Sequence, residues 1–165
     1  MNTRVYYFEI VRDIPYSIWH DKPDYNCVVK NDILANLLES NNLETRRRIC
    51  KFKWDDLNIP ESVLNNSHPS SSYHEFVEVK IPEKDEYITV DPSWDSLLSP
   101  EFDINTWDGK SDTDIAVKPI KIYSVEESKE IRDSVSKIEE AEENQDDHED
   151  FYYSLNIYLN SIREK

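Results

Sequence analysis

Two alternating runs on either side of a short break constrain this chain more than anything else in it. "HEFVEVKI", residues 74–81, sets Val77, Val79 and Ile81 on one side and His74, Phe76, Glu78 and Lys80 on the other. "YITVD", residues 87–91, repeats the pattern, with Ile88 and Val90 opposed to Tyr87, Thr89 and Asp91. A period of two is the mark of a strand, so the segment reads as a β-hairpin with one apolar, core-facing side. With the loop set at "IPEK", residues 81–84, Lys80 faces Asp85, Glu78 faces Tyr87, Phe76 faces Thr89 and His74 faces Asp91. Directly opposed Cβ atoms lie about 4.5–5.5 Å apart. Sliding each strand by one residue makes His74 and Asp91 diagonal neighbours, about 7–8 Å apart and still within side-chain reach. Either register puts an imidazole beside a carboxylate. Taken alone, such a pair is more often a surface ion pair contributing about 0–1 kcal/mol than half of a catalytic site.

What the pair means depends on the residues upstream. In "NCVVKNDILANLLESNN", from Asn26, Val29, Ile33 and Leu37 recur at i+4 with Leu34 and Leu38 beside them. That spacing predicts an amphipathic helix over 27–40. Asp24 or Asn26 can cap its start, and Asn41 or Asn42 can take the left-handed exit usually filled by glycine. Cys27 then stands at a helix N-terminus, where partial positive charge and unpaired N–H groups favour a thiolate and can hold an oxyanion. His74 sharing the proton and Asp91 orienting the ring would complete a nucleophile–base–acid set. The bland alternative for Cys27 is a small buried apolar residue. Cys50, between Ile49 and Lys51 in a predicted strand, fits that alternative better.

The remaining segments are less decisive. "RVYYFEIVR" near the N-terminus is apolar enough for a strand or a helical turn, and its periodicity does not choose. "TRRRICKFKW" alternates as a strand; a helical turn is expected around "ESVL"; Phe102, Trp107 and Tyr123 anchor an irregular stretch. Beyond residue 123 the chain reads as helical, with Ser124 and Glu127 forming a capping box and an acidic run at 139–150 as a solvated hinge. Tyr152, Leu155, Leu159 and Ile162 are expected to dock the last helix.

Composition excludes several classes. The chain of 165 residues carries a net charge of −16, which argues against general nucleic-acid binding because phosphates would be repelled. Arg46, Arg47, Arg48, Lys51 and Lys53 form a basic strip, read as a strand paired with the protein's own carboxylates rather than as a site for an acidic partner. Gly109 is the single glycine, so neither a P-loop nor a dinucleotide fingerprint can be written. His20, Cys27, Cys50 and His74 lack the paired spacing of a metal site, and no cofactor is expected. Charges throughout "MNTRVYYFEIVRD" leave no apolar signal core, and no apolar run has the length of a membrane span. With two cysteines and no disulfide framework, a reduced cytoplasmic protein is expected. Trp54, Trp94 and Trp107, with Phe102, can wall a groove or pin a loop-rich lobe.

A family resemblance rests on three blocks: "YNCVVKNDILANLLESNNLETR", "YHEFVEV" and "YITVDPSWD". Their order, with 47 residues from Cys27 to His74 and 17 from His74 to Asp91, resembles the Cys-helix, His-strand and Asp-strand of the transglutaminase-like superfamily, within the papain-like cysteine-protease fold. "DIPYSI", "FKWDDLNIP" and "TWDGKSDTDIAVKP" are similar to a prokaryotic group of that superfamily, and the likeness spans roughly residues 13–123. The resemblance implies Cys27 as nucleophile, His74 as general base and acid, and Asp91 as orienting carboxylate. Papain-like enzymes often place a glutamine before the cysteine to complete the oxyanion hole. Here Gln145 is the single glutamine, so Trp19, Tyr16, His20 or a backbone N–H would have to serve.

The expectation is therefore an α+β, transglutaminase-like or papain-like fold: a Cys-bearing helix on an antiparallel sheet, with C-terminal helices. Residues 1–123 form the core and 124–165 a helical extension. The expected function is attack on an amide or peptide bond of a protein or peptide through a thioester, ending in hydrolysis, deamidation or acyl transfer. The alternative is an inactive binding or scaffold protein of the same fold; a basic-strip adaptor ranks third.

Overall fold

In the computed structural model, described over residues 2–18, 23–141 and 148–165 (with 135–141 as backbone only), an antiparallel four-stranded sheet is combined with five helices among the described residues. The chain runs α1 (Thr3–Arg12), α2 (Cys27–Ser40), β1 (Thr45–Phe52), α3 (Glu61–Leu64), β2 (Ser72–Ile81), β3 (Glu86–Val90), β4 (Lys121–Ile122), α4 (Val125–Ala141) and α5 (Glu149–Arg163). Strand order is β3-β2-β1-β4. None of the described helices is long and apolar enough to cross a membrane.

The ambiguous N-terminal run is helical. Asn2 caps it by accepting from the Arg4 N–H, and Phe8 and Val11 are its buried residues. The single glycine meets α1 closely: Gly109 has φ +84, and a Cβ there would come 2.5 Å from Asn2 Nδ2. Positive φ and close approach both select glycine. Asn26 caps α2 by accepting from the Val29 N–H, and Asn42 leaves it at φ 60. The buried face of α2 is Cys27, Lys30, Asn31, Leu34, Ala35 and Leu38. The expected stripe through Val29, Ile33 and Leu37 is thus rotated to the flank. Two polar residues lie on the true inner face: the Lys30 ammonium and the Asn31 Nδ2 find carbonyl acceptors there, while Asn31 Oδ1 has no hydrogen-bond partner among the described residues.

The hairpin takes the slipped register, with Val77 opposite Val90, Glu78 opposite Thr89 and Lys80 opposite Tyr87. The expected opposition of His74 to Asp91 is corrected: one further step of this ladder sets Asp91 opposite Phe76. Asp85 adopts φ 55, and the turn occupies residues 82–85 between the strands. Both sheet faces are covered. Val77, Val79, Ile88 and Val90 join Phe8, Leu34 and Leu38 in one cluster; Cys50, Phe52 and Phe76 join Trp54, Trp94, Phe151, Leu155 and Leu159 in the other. Each fully buried leucine contributes about 1.5–3 kcal/mol.

The basic strand is paired within the molecule. Arg46 and Arg48 both meet Glu78, and Arg47 Nε donates to Asp32 at 3.0 Å. The capping box of α4 forms, with the Glu127 N–H 3.1 Å from Ser124 Oγ and the Ser124 N–H 2.8 Å from Glu127. Helix α5 buries Phe151, Leu155, Leu159 and Ile162 in the cluster that contains Cys27. Of the acidic run, residues 142–147 lie outside the described residues.

Candidate active site

The structure bonds His74 to Asp91 and places Cys27 and His74 on the wall of one cavity. Cys27 is the first residue of α2. With the Val29 N–H taken by Asn26, the Cys27 and Val28 N–H groups remain without helical acceptors, as the first turn of any helix dictates. His74 lies on β2 opposite Cys50 and presents its ring edge-on to Phe52, with centroids 6.2 Å apart. Asp91 follows β3 directly.

His74 Nε2 donates to Asp91 Oδ2 at 2.7 Å, with both side chains buried. This differs from the solvated pair that a hairpin histidine usually makes. Asp91 accepts three more donors: the Ala116 N–H at 2.8 Å on Oδ2, and the Ser93 N–H at 3.1 Å and Oγ at 2.5 Å on Oδ1. Burial works against its charge, but the imidazolium and these donors hold its pKa below the usual carboxylate value. Burial also opposes charge on His74; Asp91 and then Cys27 outweigh it and raise the ring to about 10. Cys27, which lines the same cavity as His74, is the second charge to bear on the ring. Because Nε2 is engaged by Asp91, Nδ1 is the nitrogen left for the thiol. The diagonal register therefore suffices, because the side chains span the offset.

Cys27 and His74 open on a cavity of about 620 Å³ whose walls include Trp54, Trp94, Phe52 and Tyr152. Trp54 and Trp94 are thus both core residues and cavity walls, whereas Trp107 packs on Phe8 in the other cluster. Of the expected oxyanion donors, Tyr16 lines the cavity, while Trp19 and His20 lie outside the described residues. Cys50 is fully buried, and burial pushes its thiol up to about 12, so it is a core residue. Both cysteines are free. Among the described residues no group of three or more His, Cys, Asp or Glu side chains is arranged to hold a metal ion.

Several positioning residues escaped the sequence reading. Lys30, one turn after Cys27, is fully buried and donates to the carbonyls of Arg12 at 2.8 Å, Ile14 at 2.7 Å and Ser93 at 2.8 Å. It ties the cysteine helix to the segment that follows Asp91. Burial draws its pKa down to about 7, against the charges of Asp95 and Asp91. Asn31 Nδ2 bridges the Cys27 carbonyl at 2.7 Å and the Glu75 carbonyl at 2.9 Å, linking the start of α2 to the residue after His74. Asp95 accepts from the Tyr16 N–H at 3.0 Å and from Arg163 of α5 at 2.7 Å. Glu75 is buried beside His74 and bonded to Arg132 at 2.9 Å; burial raises its pKa to about 7 despite that arginine. The available signal was spacing: Cys27, Lys30, Asn31 and Leu34 fall on one helical face.

Compared with protein-family models, curated proteins and solved structures, the chain matches none.

Proposed function

We propose that this chain is a transglutaminase-like cysteine enzyme of the papain-like type, acting on an amide or peptide bond through Cys27, His74 and Asp91. The observation that carries the reading is the buried 2.7 Å bond from His74 Nε2 to Asp91, on a ring that lines one cavity with a cysteine at a helix N-terminus. A purely structural cysteine needs neither a buried imidazole partner nor a cavity.

The chemistry follows from these roles. With the proton on His74, the Cys27 thiolate attacks the carbonyl carbon; a C–S bond forms and the carbonyl electron pair moves to oxygen. The Cys27 and Val28 N–H groups and the positive end of α2 favour that oxyanion. Collapse of the intermediate breaks the C–N bond, and the leaving amine takes the proton from His74. The resulting thioester is attacked by water or by an amine, whose proton passes to His74, and Cys27 departs as thiolate. Asp91 keeps its charge throughout and fixes the ring with Nδ1 toward the sulfur.

The test uses p-nitrophenyl acetate as an acyl donor of minimal size. A burst of one p-nitrophenolate per chain, with a single acetyl group mapped by mass spectrometry to Cys27 and absent from Cys27→Ala, is expected. Acetylation spread over lysines, or equal in the variant, contradicts the reading.

A further inference from the structure

Strand β3 stops at Val90, and Pro92 stands where its ladder to β2 would continue. Thr89 turns its main-chain groups away from β2, donating to Asp112 and accepting from the Thr113 N–H, so Ile88 and Val90 are the residues that bond to β2. In the register that sets Val77 opposite Val90, the next bonded pair would be Glu75 with Pro92. Proline has no N–H, so that rung cannot form, and the Glu75 carbonyl, one residue after His74, needs another donor. Asn31 supplies it: Nδ2 lies 2.9 Å from the Glu75 carbonyl and 2.7 Å from the Cys27 carbonyl. A bond from the cysteine helix thus replaces the missing bond of the sheet.

The amide makes this link at a cost. Two carbonyls face Nδ2, which fixes its orientation, since the reverse would set an oxygen against two acceptors. Oδ1 is then buried with no hydrogen-bond partner among the described residues, on a side chain that is itself fully buried. Such atoms are rare enough in folded proteins to require a reason. Apolar packing does not supply it. Cys27 belongs to one core cluster, whereas Leu34, Ala35 and Leu38 further along α2 belong to the other, with Val77 and Val79. Asn31 lies between the two, where a leucine of similar shape would leave no orphaned oxygen.

We propose that Asn31 is a positioning residue that sets the distance between the Cys27 sulfur and the His74 ring. The inference rests on the Cys27 reading above and adds a residue that acts only through Cys27 and His74. The nucleophile and its base come from separate elements, α2 and β2. Asp91 fixes the ring from its Nε2 side, and the Asn31 amide ties the main chain of the cysteine to the peptide that follows the histidine. A hydrogen-bonded joint holds the geometry of proton sharing, which apolar packing alone leaves free to slide. Pro92 makes the joint possible, because an N–H at that position would take the Glu75 carbonyl into the sheet.

The experiment follows iodoacetamide alkylation of Cys27 from pH 6 to pH 10 by mass spectrometry in wild type, Asn31→Leu, Asn31→Ser and Leu34→Ala. Leucine removes both donors; serine reaches back to the Cys27 carbonyl but not across to β2. Wild type is expected to alkylate readily at pH 6. Both Asn31 variants are expected to lose that reactivity by about tenfold or more and to converge on wild type near pH 10, because a displaced ring no longer takes up the thiol proton. Leu34→Ala empties a site in the second core cluster, so it is expected to lower the urea midpoint at least as far as either Asn31 variant while keeping the wild-type pH profile. A lowered midpoint is all that a merely structural role would produce. Asn31 profiles superimposable on wild type, or a Leu34→Ala profile displaced equally, overturn the assignment while leaving Cys27 as nucleophile. If Asn31→Leu does not fold, Asn31→Ser decides alone. Wild type without reactivity at pH 6 overturns the Cys27–His74 reading, and this one with it.

Discussion

Replacing Asp91 by Asn tests the buried pair through stability as well as activity. The carboxylate receives donors on both oxygens: the His74 ring and the Ala116 N–H on one, the Ser93 N–H and hydroxyl on the other. An amide has one oxygen, so in either orientation its NH2 faces donors. The charge that sustains the imidazolium is lost at the same time. His74 moves from 6.5 to about 10 on folding, with burial opposing the shift and Asp91 the larger of the two charges producing it. At about 1.4 kcal/mol per pKa unit the shift corresponds to a ceiling of about 5 kcal/mol, shared with Cys27. Breaking one side of a buried charge pair typically costs about 3–5 kcal/mol. Asp91→Asn is therefore expected to lose about 3–5 kcal/mol at pH 6. The sign of the pH dependence follows from the raised pKa: a histidine raised in the folded state stabilises fully below 6.5, and that contribution falls away as pH rises through about 10. The gap between wild type and variant should thus narrow from pH 6 toward pH 10, leaving the cost of the mismatched amide. Urea unfolding across that range measures it. A gap below 1 kcal/mol, or one that stays constant between pH 6 and pH 10, refutes the reasoning.

Three further outcomes are expected. Lys30→Met leaves the carbonyls of Arg12, Ile14 and Ser93 without their donor and should cost about 3–5 kcal/mol by urea unfolding, with a loss under 1 kcal/mol contradicting this role. Ellman titration of the native protein should count one thiol, Cys27, and a second only in denaturant, because Cys50 is sealed in the core with its thiol pushed up to about 12; two fast native thiols would contradict the burial. Ser124→Ala removes the hydroxyl that accepts from the Glu127 N–H and should lower stability by about 1 kcal/mol in thermal melts, whereas no change would show that the box is idle.

Local chemistry explains which parts of the structure could be read in the sequence. Asn26, Asn42 and the Ser124–Glu127 pair act within a turn of themselves, so they locate the ends of α2 and the start of α4 without knowledge of the rest. The hairpin alternation assigned the side chains of residues 76–81 and 87–90 to faces, but turn geometry fixed the register, and the turn takes residues 82–85 rather than 81–84. Because a slip of one residue on each strand preserves the faces, His74 still reached Asp91. The inner face of α2 was misplaced for a different reason. Lys30 and Asn31 look solvent-seeking by type, and only carbonyls from distant segments, Arg12, Ile14, Ser93 and Glu75, make their burial favourable. Pairs such as Asp95 with Arg163, 68 residues apart, carry no periodic signal.

The most direct measurement is the pH profile of iodoacetamide alkylation at Cys27, followed by mass spectrometry in wild type and His74→Ala. A free thiol with a pKa near 8.5 is only about 0.3% ionised at pH 6. If His74 and Cys27 share a proton as an ion pair, Cys27 reacts readily at pH 6, and His74→Ala slows that reaction by at least about tenfold while the rates converge near pH 10. Superimposable profiles for the two proteins, each rising only above pH 8, would contradict a Cys27–His74–Asp91 catalytic set.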